Sequence, residues 1–307
     1  MKKKKFEEVA AMWLAEKKHY VKRSTHAAYS LIIYRHLMPV FGTATDITEP
    51  MVQGFALDKL EGGLSRKSIK DIIIVMKMIL KYGMKNQFME HREIDVVLPT
   101  ERERKDIQIM NIVNQQKLMR YLHENFSYMN LGIYICLCTG MRIGEICALQ
   151  WKDIDFIEGL IHVTKTVQRI YVPEGYSGHT ELVIDTAKTM NSIRTIPIAK
   201  DLMKILRPLE KLIVEDHYIL TNSPRPTEPR SYRNFYNRLI QDLGLPKLKF
   251  HGLRHSFATR CIESQCDYKT VSTLLGHSNI STTMNLYVHP DIEQKQHCVE
   301  QMFRALR

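Results

Sequence analysis

The sequence predicts a mainly α-helical protein with a small antiparallel sheet in its second half. Apolar residues recur at helical spacing through roughly the first hundred positions and again from Asp201 onward. Between these regions lie short alternating segments bounded by Gly, Pro and Asp, which are typical of strands. At 307 residues the chain exceeds a single typical core, so we expect two domains.

Four helices are expected in the first domain. The first runs from Phe6 to Tyr20 and carries one apolar stripe. The second should end before Pro39, because proline seldom continues a helix. The third begins near Thr48 with Pro50 in its first turn, and the fourth runs from Ser65 to Lys85. The fourth has lysines and an arginine on its other faces, which indicates a small bundle with a basic exterior.

A charged, proline-containing stretch predicts the domain boundary. We assign residues 1–98 to the helical domain, 99–110 to an exposed linker, and 111–307 to the second domain. The second domain should contain helices through Leu118 and Leu122, from Met129 to Cys138 and after the TGMRIG turn, strands at Ile154–Ile157, Leu160–Val172, Leu182–Ile184 and Arg194–Ile198, and a last helix over about 291–307.

Composition indicates what kind of partner the protein binds and in which cellular compartment it works. The 44 Lys and Arg exceed the 33 Asp and Glu, and a net charge of +11 favours a polyanion, although many soluble proteins are equally basic. Six cysteines lie in apolar segments without metal-ligand spacing, so we expect reduced thiols, no disulfide and no metal. No apolar run suits a membrane span and no signal peptide is apparent, so we expect a cytoplasmic protein with no membrane partner.

Six polar residues in the second domain carry the candidate chemistry, each within an otherwise apolar stretch. They are Arg142, Lys188, His251, Arg254, His277 and Tyr287. A tyrosine hydroxyl, two guanidiniums, an ammonium and two imidazoles suit phosphoryl transfer without a metal or other cofactor, because arginines can hold the charge that a metal would neutralise.

Three of these residues also have an ordinary structural interpretation. Arg142 suits a capping role after a Thr-Gly turn, His277 could cap a helix end, and Tyr287 could pack among apolar neighbours. Glu145 could orient a basic group or simply favour the start of its helix, and the sequence leaves both open. His255, flanked by Phe257, is interpreted as a structural histidine.

The motifs TGMRIGE, HGLRHSFAT and LLGHSNISTT, followed by Tyr287, resemble the tyrosine recombinase family of phage and transposon integrases in type, order and separation. FEEVAAMWLAEKKH through YSLIIYRHLMPVFG also resembles the helical core-binding domain of that family. The resemblance therefore covers nearly the whole chain. It implies a helical, SAM-like core-binding domain and an α+β catalytic domain, arranged as a C-shaped clamp on double-stranded DNA.

The resemblance also implies a role for each residue. Tyr287 would attack the scissile phosphodiester to give a 3′-phosphotyrosine, and Arg142 and Arg254 would clamp its oxygens. Lys188 would be the general acid at the leaving 5′-oxygen, with Lys165 as the rival. The remaining assignments are His251 as base or hydrogen-bond partner at the attacking oxygen, His277 on a phosphate oxygen, Glu145 as scaffold support, and Arg66, Lys67, Lys70 and Lys77 as DNA contacts.

The predicted activity is integration and excision of a mobile element by a nucleoid-associated, cytoplasmic enzyme. The last helix, from about 291, would link subunits of a tetramer on DNA, although packing within its own chain is the alternative. Directionality or DNA-bending factors could take part. An N-terminal arm-binding domain is either not needed or trimmed from this chain. Other functions left open are Xer-type resolution, DNA inversion, type IB topoisomerase activity and DNA binding without catalysis.

Overall fold

The computed structural model describes residues 3–90, 92–99, 108–174, 177–186, 192–287 and 292–306. The chain forms two compact units, one of Met1–Arg104 with Arg169–Glu181 and one of Lys105–Gln168 with Leu182–Arg307. Helices dominate and the strands form two small sheets, which confirms the predicted fold class.

The first unit is a helical bundle. Ser65 caps its longest helix by accepting a hydrogen bond from the backbone N–H of Ser68, and Pro50 lies in the first turn of another helix, so both predicted starts are confirmed. The apolar face of the longest helix packs against Phe6, Phe41 and Phe55. The helices are α1 (Phe6–Lys17), α2 (Arg23–Ile32), α3 (Met38–Phe41), α4 (Glu49–Glu61) and α5 (Arg66–Lys85).

The prediction that the second helix ends before Pro39 is wrong. A π-helical turn over Ile33–Leu37 joins α2 to α3, and the N–H of Met38 donates to the carbonyl of Ile33. This wider turn shifts the bonding pattern, so Pro39 falls in the first turn of α3. Proline has no N–H to donate, so it can follow the widened turn without leaving a backbone donor unpaired.

The second unit builds its main core around α7. This helix is apolar on all sides, and its residues pack with Trp151, Tyr232 and Tyr236. The helices of this unit are α6 (Ile112–Glu124), α7 (Tyr128–Thr139), α8 (Ile143–Ala148), α9 (Lys200–Leu206), α10 (Pro229–Asp242), α11 (Phe250–Glu263), α12 (Tyr268–Leu275), α13 (Ile280–Tyr287) and α14 (Ile292–Ala305).

The strands form a three-stranded sheet in the order β1-β2-β5, and a separate pair of β3 with β4. Within the first sheet the pairs are antiparallel, and Ile161 lies opposite both Ile154 and Ile196. The single strand predicted from Leu160 to Val172 is divided at Thr164, because the two halves pair with different partners. The strands are β1 (Ile154–Asp155), β2 (Leu160–Val163), β3 (Lys165–Glu174), β4 (Ser177–Thr186) and β5 (Arg194–Pro197).

Candidate active site

Three arginines converge on the C-terminal end of α12. The consecutive carbonyls of Leu274–Gly276 accept hydrogen bonds, in that order, from Arg194 Nε at 2.6 Å, Arg254 Nη2 at 2.7 Å and Arg142 Nη2 at 3.0 Å. The last carbonyls of a helix have no partner within it and carry partial negative charge, so cations are stabilised there. The end of α12 therefore gathers guanidiniums from three separate elements into one place.

Two left-handed glycines shape this junction. Gly140 ends α7 with φ +64° and Gly276 ends α12 with φ +65°. The carbonyl of Gly140 accepts a second hydrogen bond from Arg254, at 2.7 Å from Nη1. A Cβ at Gly140 would lie 2.5 Å from the ring of Phe257 and 2.9 Å from Leu275. Both the backbone conformation and the close packing therefore require glycine at this position.

Glu145 joins two of these arginines. Its carboxylate is 4% exposed and accepts from Arg194 Nη2 at 2.8 Å and Nη1 at 3.1 Å, and from Arg142 Nη1 at 2.8 Å. Burial alone would raise the pKa of Glu145, but the hydrogen bonds and charges of Arg194 and Arg142 lower it overall. Glu145 also accepts from the backbone N–H of Arg142, so it both orients basic groups and caps α8.

The hydroxyl of Tyr287, at the end of α13, contacts a histidine of α11. His255 Nδ1 lies 2.5 Å from the Tyr287 oxygen, and Tyr287 is buried. The ring of His251 stands edge-on to that of His255, with 4.6 Å between ring centroids. We expected His251 at this oxygen and interpreted His255 as structural, whereas the structure places His255 there.

His277 follows α12 directly and is held by α13. Its Nδ1 lies 2.8 Å from the hydroxyl of Thr283, which is fully buried. Because the carbonyl of Gly276 is bound by Arg142, the backbone that carries His277 is fixed on one side. The hydrogen bond to Thr283 then sets the orientation of the His277 ring.

Burial, together with the charges of this cluster, keeps its imidazoles neutral. Burial first, and the neighbouring charged groups second, lower the pKa of His251 and of His277 to about 4, although His251 retains an exposed surface. Burial and the charge of Arg142 lower the pKa of Arg254 to about 9, so it remains charged at neutral pH. Burial raises the pKa of Tyr287 to about 12. The cluster is a cationic recess that favours an anion beside a neutral phenol.

Comparison with known proteins identifies the family. The model of the phage integrase family matches residues 108–294, and that of the N-terminal SAM-like domain of phage integrases matches residues 5–56. The chain belongs to the phage integrase family. The matched relatives are named tyrosine recombinases and integrases, and the chain is a member of that family.

Curated relatives of this recombinase include chromosomal and mobile-element enzymes. The XerC-like tyrosine recombinase of Caldanaerobacter subterraneus subsp. tengcongensis is 30% identical over 260 residues, which cover 78% of this chain and 66% of that protein. The ICEBs1 integrase of Bacillus subtilis is 28% identical over 271 residues, which cover 84% of this chain and 72% of that protein. The chain thus spans slightly under two thirds of the first relative's length and more of the second's.

Solved structures share the fold. The Tn1549 transposon integrase in complex with a circular intermediate DNA has a TM-score of 0.75 at 22% identity, covering 96% of this chain and 99% of that one. Lambda integrase bound to DNA has a TM-score of 0.65 at 15% identity, covering 94% and 100%. At these identities the likeness establishes the fold of this recombinase alone.

The structure brings most of the predicted site residues of the recombinase together. Arg142, Glu145, His251, Arg254, His277 and Tyr287 form one cluster through the contacts and charges described above. Lys188 lies outside the described residues. Its rival Lys165 donates to Oε1 of Gln150 at 2.9 Å.

Sequence reasoning missed three residues of the cluster. Arg194 was interpreted only as the start of a strand, and Thr283 drew no attention within a Ser-Thr-Thr run. His255 was noticed but set aside as structural. A second imidazole directly after Arg254 in HGLRH was the available signal, since residues one position apart on a helix can contact different neighbours of one cleft.

Each of the two units carries basic side chains that are candidates for DNA contacts. A pocket of about 420 Å³ next to His251 is lined in part by Arg233, Lys247 and Lys249. In the first unit, Lys67, Lys70 and Lys77 are exposed on α5, Arg66 is half-buried, and Lys77 Nζ lies 3.9 Å from Asp95.

Neither a membrane-spanning helix nor a metal-binding cluster occurs in the part of the chain that the structure describes. None of the helices described here has the length and apolar character needed to cross a membrane. Within the same part of the chain, no three His, Cys, Asp or Glu side chains are grouped so that they could hold a metal ion.

Proposed function

We propose that this recombinase cuts and rejoins specific DNA duplexes through a covalent bond between Tyr287 and the 3′-phosphate. The observation that carries the proposal is the placement of the Tyr287 hydroxyl in a recess lined by Arg142, Arg254 and two neutral histidines. A tyrosine ester keeps the energy of the phosphodiester, so a 5′-hydroxyl can rejoin the strand by the reverse of the cleavage step, without ATP.

Arg142 and Arg254 would bind the non-bridging oxygens of the reacting phosphate. Each guanidinium has five N–H donors in a planar fork, and the bonds to helix carbonyls use only part of that set. Because those carbonyls fix both side chains before DNA arrives, the donors need little rearrangement as negative charge develops. Glu145 would maintain this geometry through its hydrogen bonds to Arg142 and Arg194, without touching DNA.

The two histidines would contact the phosphate as well. His277, with Nδ1 held by Thr283, would donate from Nε2 to a phosphate oxygen. His251 lies beside His255, and we now assign it to the phosphate as a hydrogen-bond partner because another residue occupies the place at Tyr287.

Lys188 would protonate the leaving 5′-oxygen. Its support is the position in the TAKTMNSIRT motif between β4 and β5. The rival Lys165 already donates to Gln150, which favours Lys188. A charged ammonium group carries the proton that a general acid must donate.

The substrate would be double-stranded DNA, held largely through its phosphates. The pocket beside His251 supplies Lys247 and Lys249 next to the reaction centre, and the exposed lysines of α5 supply a further basic face. Such contacts position a duplex without reading its sequence. As an enzyme of DNA, the recombinase would work in the cytoplasm, associated with the nucleoid, with directionality or bending factors as possible partners.

Helix α14 would join subunits into a tetramer on DNA. Its apolar side chains fall on one helical face and are exposed, with Ile292 76% and Phe303 58% exposed. A second copy of this chain would cover that face. The solved tetramer of lambda integrase on a Holliday junction supports this arrangement by analogy.

We further propose that the biological reaction is the integration and excision of a mobile element. The similarity to the ICEBs1 integrase and the fold of the Tn1549 integrase support this choice. Resolution of chromosome dimers is the second candidate, because the XerC-like relative is as similar. An element integrase would join two different duplex sequences, whereas a Xer-type enzyme would recombine two copies of one chromosomal site.

A covalent trap tests the proposal. The protein and its Tyr287→Phe variant are incubated with fragmented host DNA in EDTA, denatured in detergent, and the attached DNA is sequenced. We expect adducts at a few sequences with the unaltered protein alone. DNA binding without adducts from either protein would support a binding-only role. Relaxation of supercoils without joining of two duplexes would indicate a topoisomerase instead.

A further inference from the structure

The contact between His255 and Tyr287 has a defined chemical direction. The two side chains come from α11 and α13, and 2.5 Å separates Nδ1 from the phenolic oxygen. Burial and the charge of Arg254 lower the pKa of His255, so this imidazole is neutral at pH 7. Tyr287 keeps its proton, because burial raises its pKa to about 12. The phenol therefore donates, and Nδ1 of the neutral ring accepts.

We propose that His255 is the catalytic proton acceptor for Tyr287, an inference that rests on the proposed function. As the Tyr287 oxygen forms its bond to phosphorus, its O–H bond breaks and the proton passes to His255 Nδ1. The bond from phosphorus to the 5′-oxygen breaks with its electron pair, and that oxygen takes a proton from the general acid. On rejoining, the protonated His255 returns its proton to Tyr287 as the tyrosine leaves.

The geometry favours His255 over the other imidazoles. A general base must lie within hydrogen-bond reach of the proton that it removes, and His255 already does. His251 stands edge-on behind it, and Nδ1 of His277 is engaged by Thr283. A buried phenol with so high a pKa is a poor nucleophile unless a base lies beside it.

The groups around His255 explain why the transfer would await DNA. Arg254 of α11 lowers the pKa of His255 by its charge, and the rings of His251 and Tyr287 lie against it. Arg142, which precedes α8, and Glu145 of α8 act on the pKa of the neighbouring His251, and His255 itself lowers the pKa of His277 after α12. The positive charge of Arg254 disfavours a protonated His255. A bound phosphate would offset that charge, so His255 would become basic enough only when substrate is present.

The test uses the full chain and the duplex sequence recovered in its covalent adducts. In the His255→Asn variant the carboxamide oxygen can accept the phenolic hydrogen bond but cannot take the proton. We expect cleavage at pH 7 to fall about 100-fold, the scale of general base catalysis. Its rate should then rise with pH, about tenfold per unit, toward the ionisation of Tyr287, while the unaltered protein reaches a plateau. His251→Asn is the matched control, which should keep the plateau.

A second substrate separates proton removal from leaving-group protonation. With sulfur in place of the bridging 5′-oxygen, the leaving group needs no proton, so Lys188→Ala should recover while His255→Asn stays slow. Three outcomes would each overturn the proposal. The first is recovery of His255→Asn on this substrate, and the second is His255→Asn cleavage of ordinary DNA at pH 7 within about threefold of the unaltered protein. The third is a pH slope in His251→Asn instead of in His255→Asn. If the variant is less stable, the pH slope of its residual cleavage still decides. Absence of adducts with the unaltered protein would instead refute the proposed function, and with it this role.

Discussion

Arg194 should stabilise the second unit through its buried hydrogen bonds to Glu145 and to the end of α12. Its side chain is almost fully buried and donates to both carboxylate oxygens of Glu145, to the carbonyl of Leu274 and to that of Ser192. We expect the Arg194→Met substitution to destabilise this unit strongly. Methionine keeps much of the apolar stem, so the loss reports on the charge and its hydrogen bonds and not on packing.

The magnitude follows from what remains after the substitution. Removing one partner of a buried ion pair costs about 3–5 kcal/mol, because the other charge is left without compensation. Glu145 would keep its hydrogen bond from Arg142, so the lower end of that range applies, about 3 kcal/mol. Arg194→Lys keeps the charge but loses the bidentate fork, and should cost about 1–2 kcal/mol.

The two tryptophans allow the unfolding of the second unit to be measured separately from that of the first. Trp13 lies in the core of the first unit and Trp151 in the core of the second. In a Trp13→Phe background, the fluorescence of Trp151 reports the urea unfolding of the second unit alone. For a slope of about 2 kcal/mol per molar urea, a loss of 3 kcal/mol lowers the midpoint by about 1.5 M.

A small effect would refute this reasoning. If Arg194→Met changed the free energy of unfolding by less than about 1 kcal/mol, Glu145 would not depend on Arg194 for its charge. The double variant with Glu145→Gln provides the second check. It removes the buried charge, so it should recover about 1–2 kcal/mol relative to additive single effects, and strict additivity would contradict the proposed coupling.

Three further predictions follow from the site. The pKa of His277 in the folded protein, about 4, lies below its ordinary 6.5, so the unfolded chain binds more protons between these values. The free energy of unfolding should therefore fall as pH drops from 6.5 to 4. Urea titrations of the His277→Asn variant should show a shallower fall over the same range. Gly140→Ala should destabilise the unit by at least about 1 kcal/mol more than Gly244→Ala, because both have positive φ but only the former meets neighbouring atoms; equal midpoints would contradict this. Lys249→Gln should weaken DNA binding and reduce the salt slope by about one charge in fluorescence anisotropy, whereas Lys211→Gln, outside the pocket, should not.

Periodicity in the sequence was sufficient to predict most elements. The stripe of α5 and its start at Ser65, the apolar α7 and the strands around Ile161 were each predicted from local patterns and are present. Pro39 was misjudged because a local rule against proline in helices does not anticipate a π-helical turn that moves it into a first turn. The break at Thr164 was missed because strand pairing, a non-local property, decides where one strand ends.

The sequence by itself determined which residue types the candidate site contains. Tyr287, the arginines of TGMRIGE and HGLRH, and the histidines His251 and His277 were identified from motif and order. Residue type and order along the chain can be read directly from the sequence. Several such motifs in one order seldom occur together by chance, so the sequence is enough to identify them.

Only the tertiary structure decided which of these residues touch one another. The choice between His251 and His255 as the partner of Tyr287 depends on how α13 packs against α11, which no spacing within either segment specifies. Arg194 became a member of the site because β5 brings it to the end of α12 and to Glu145, residues distant in sequence. Hydrogen bonds and charges act over a few ångströms in space, so their partners are fixed by packing and not by order along the chain.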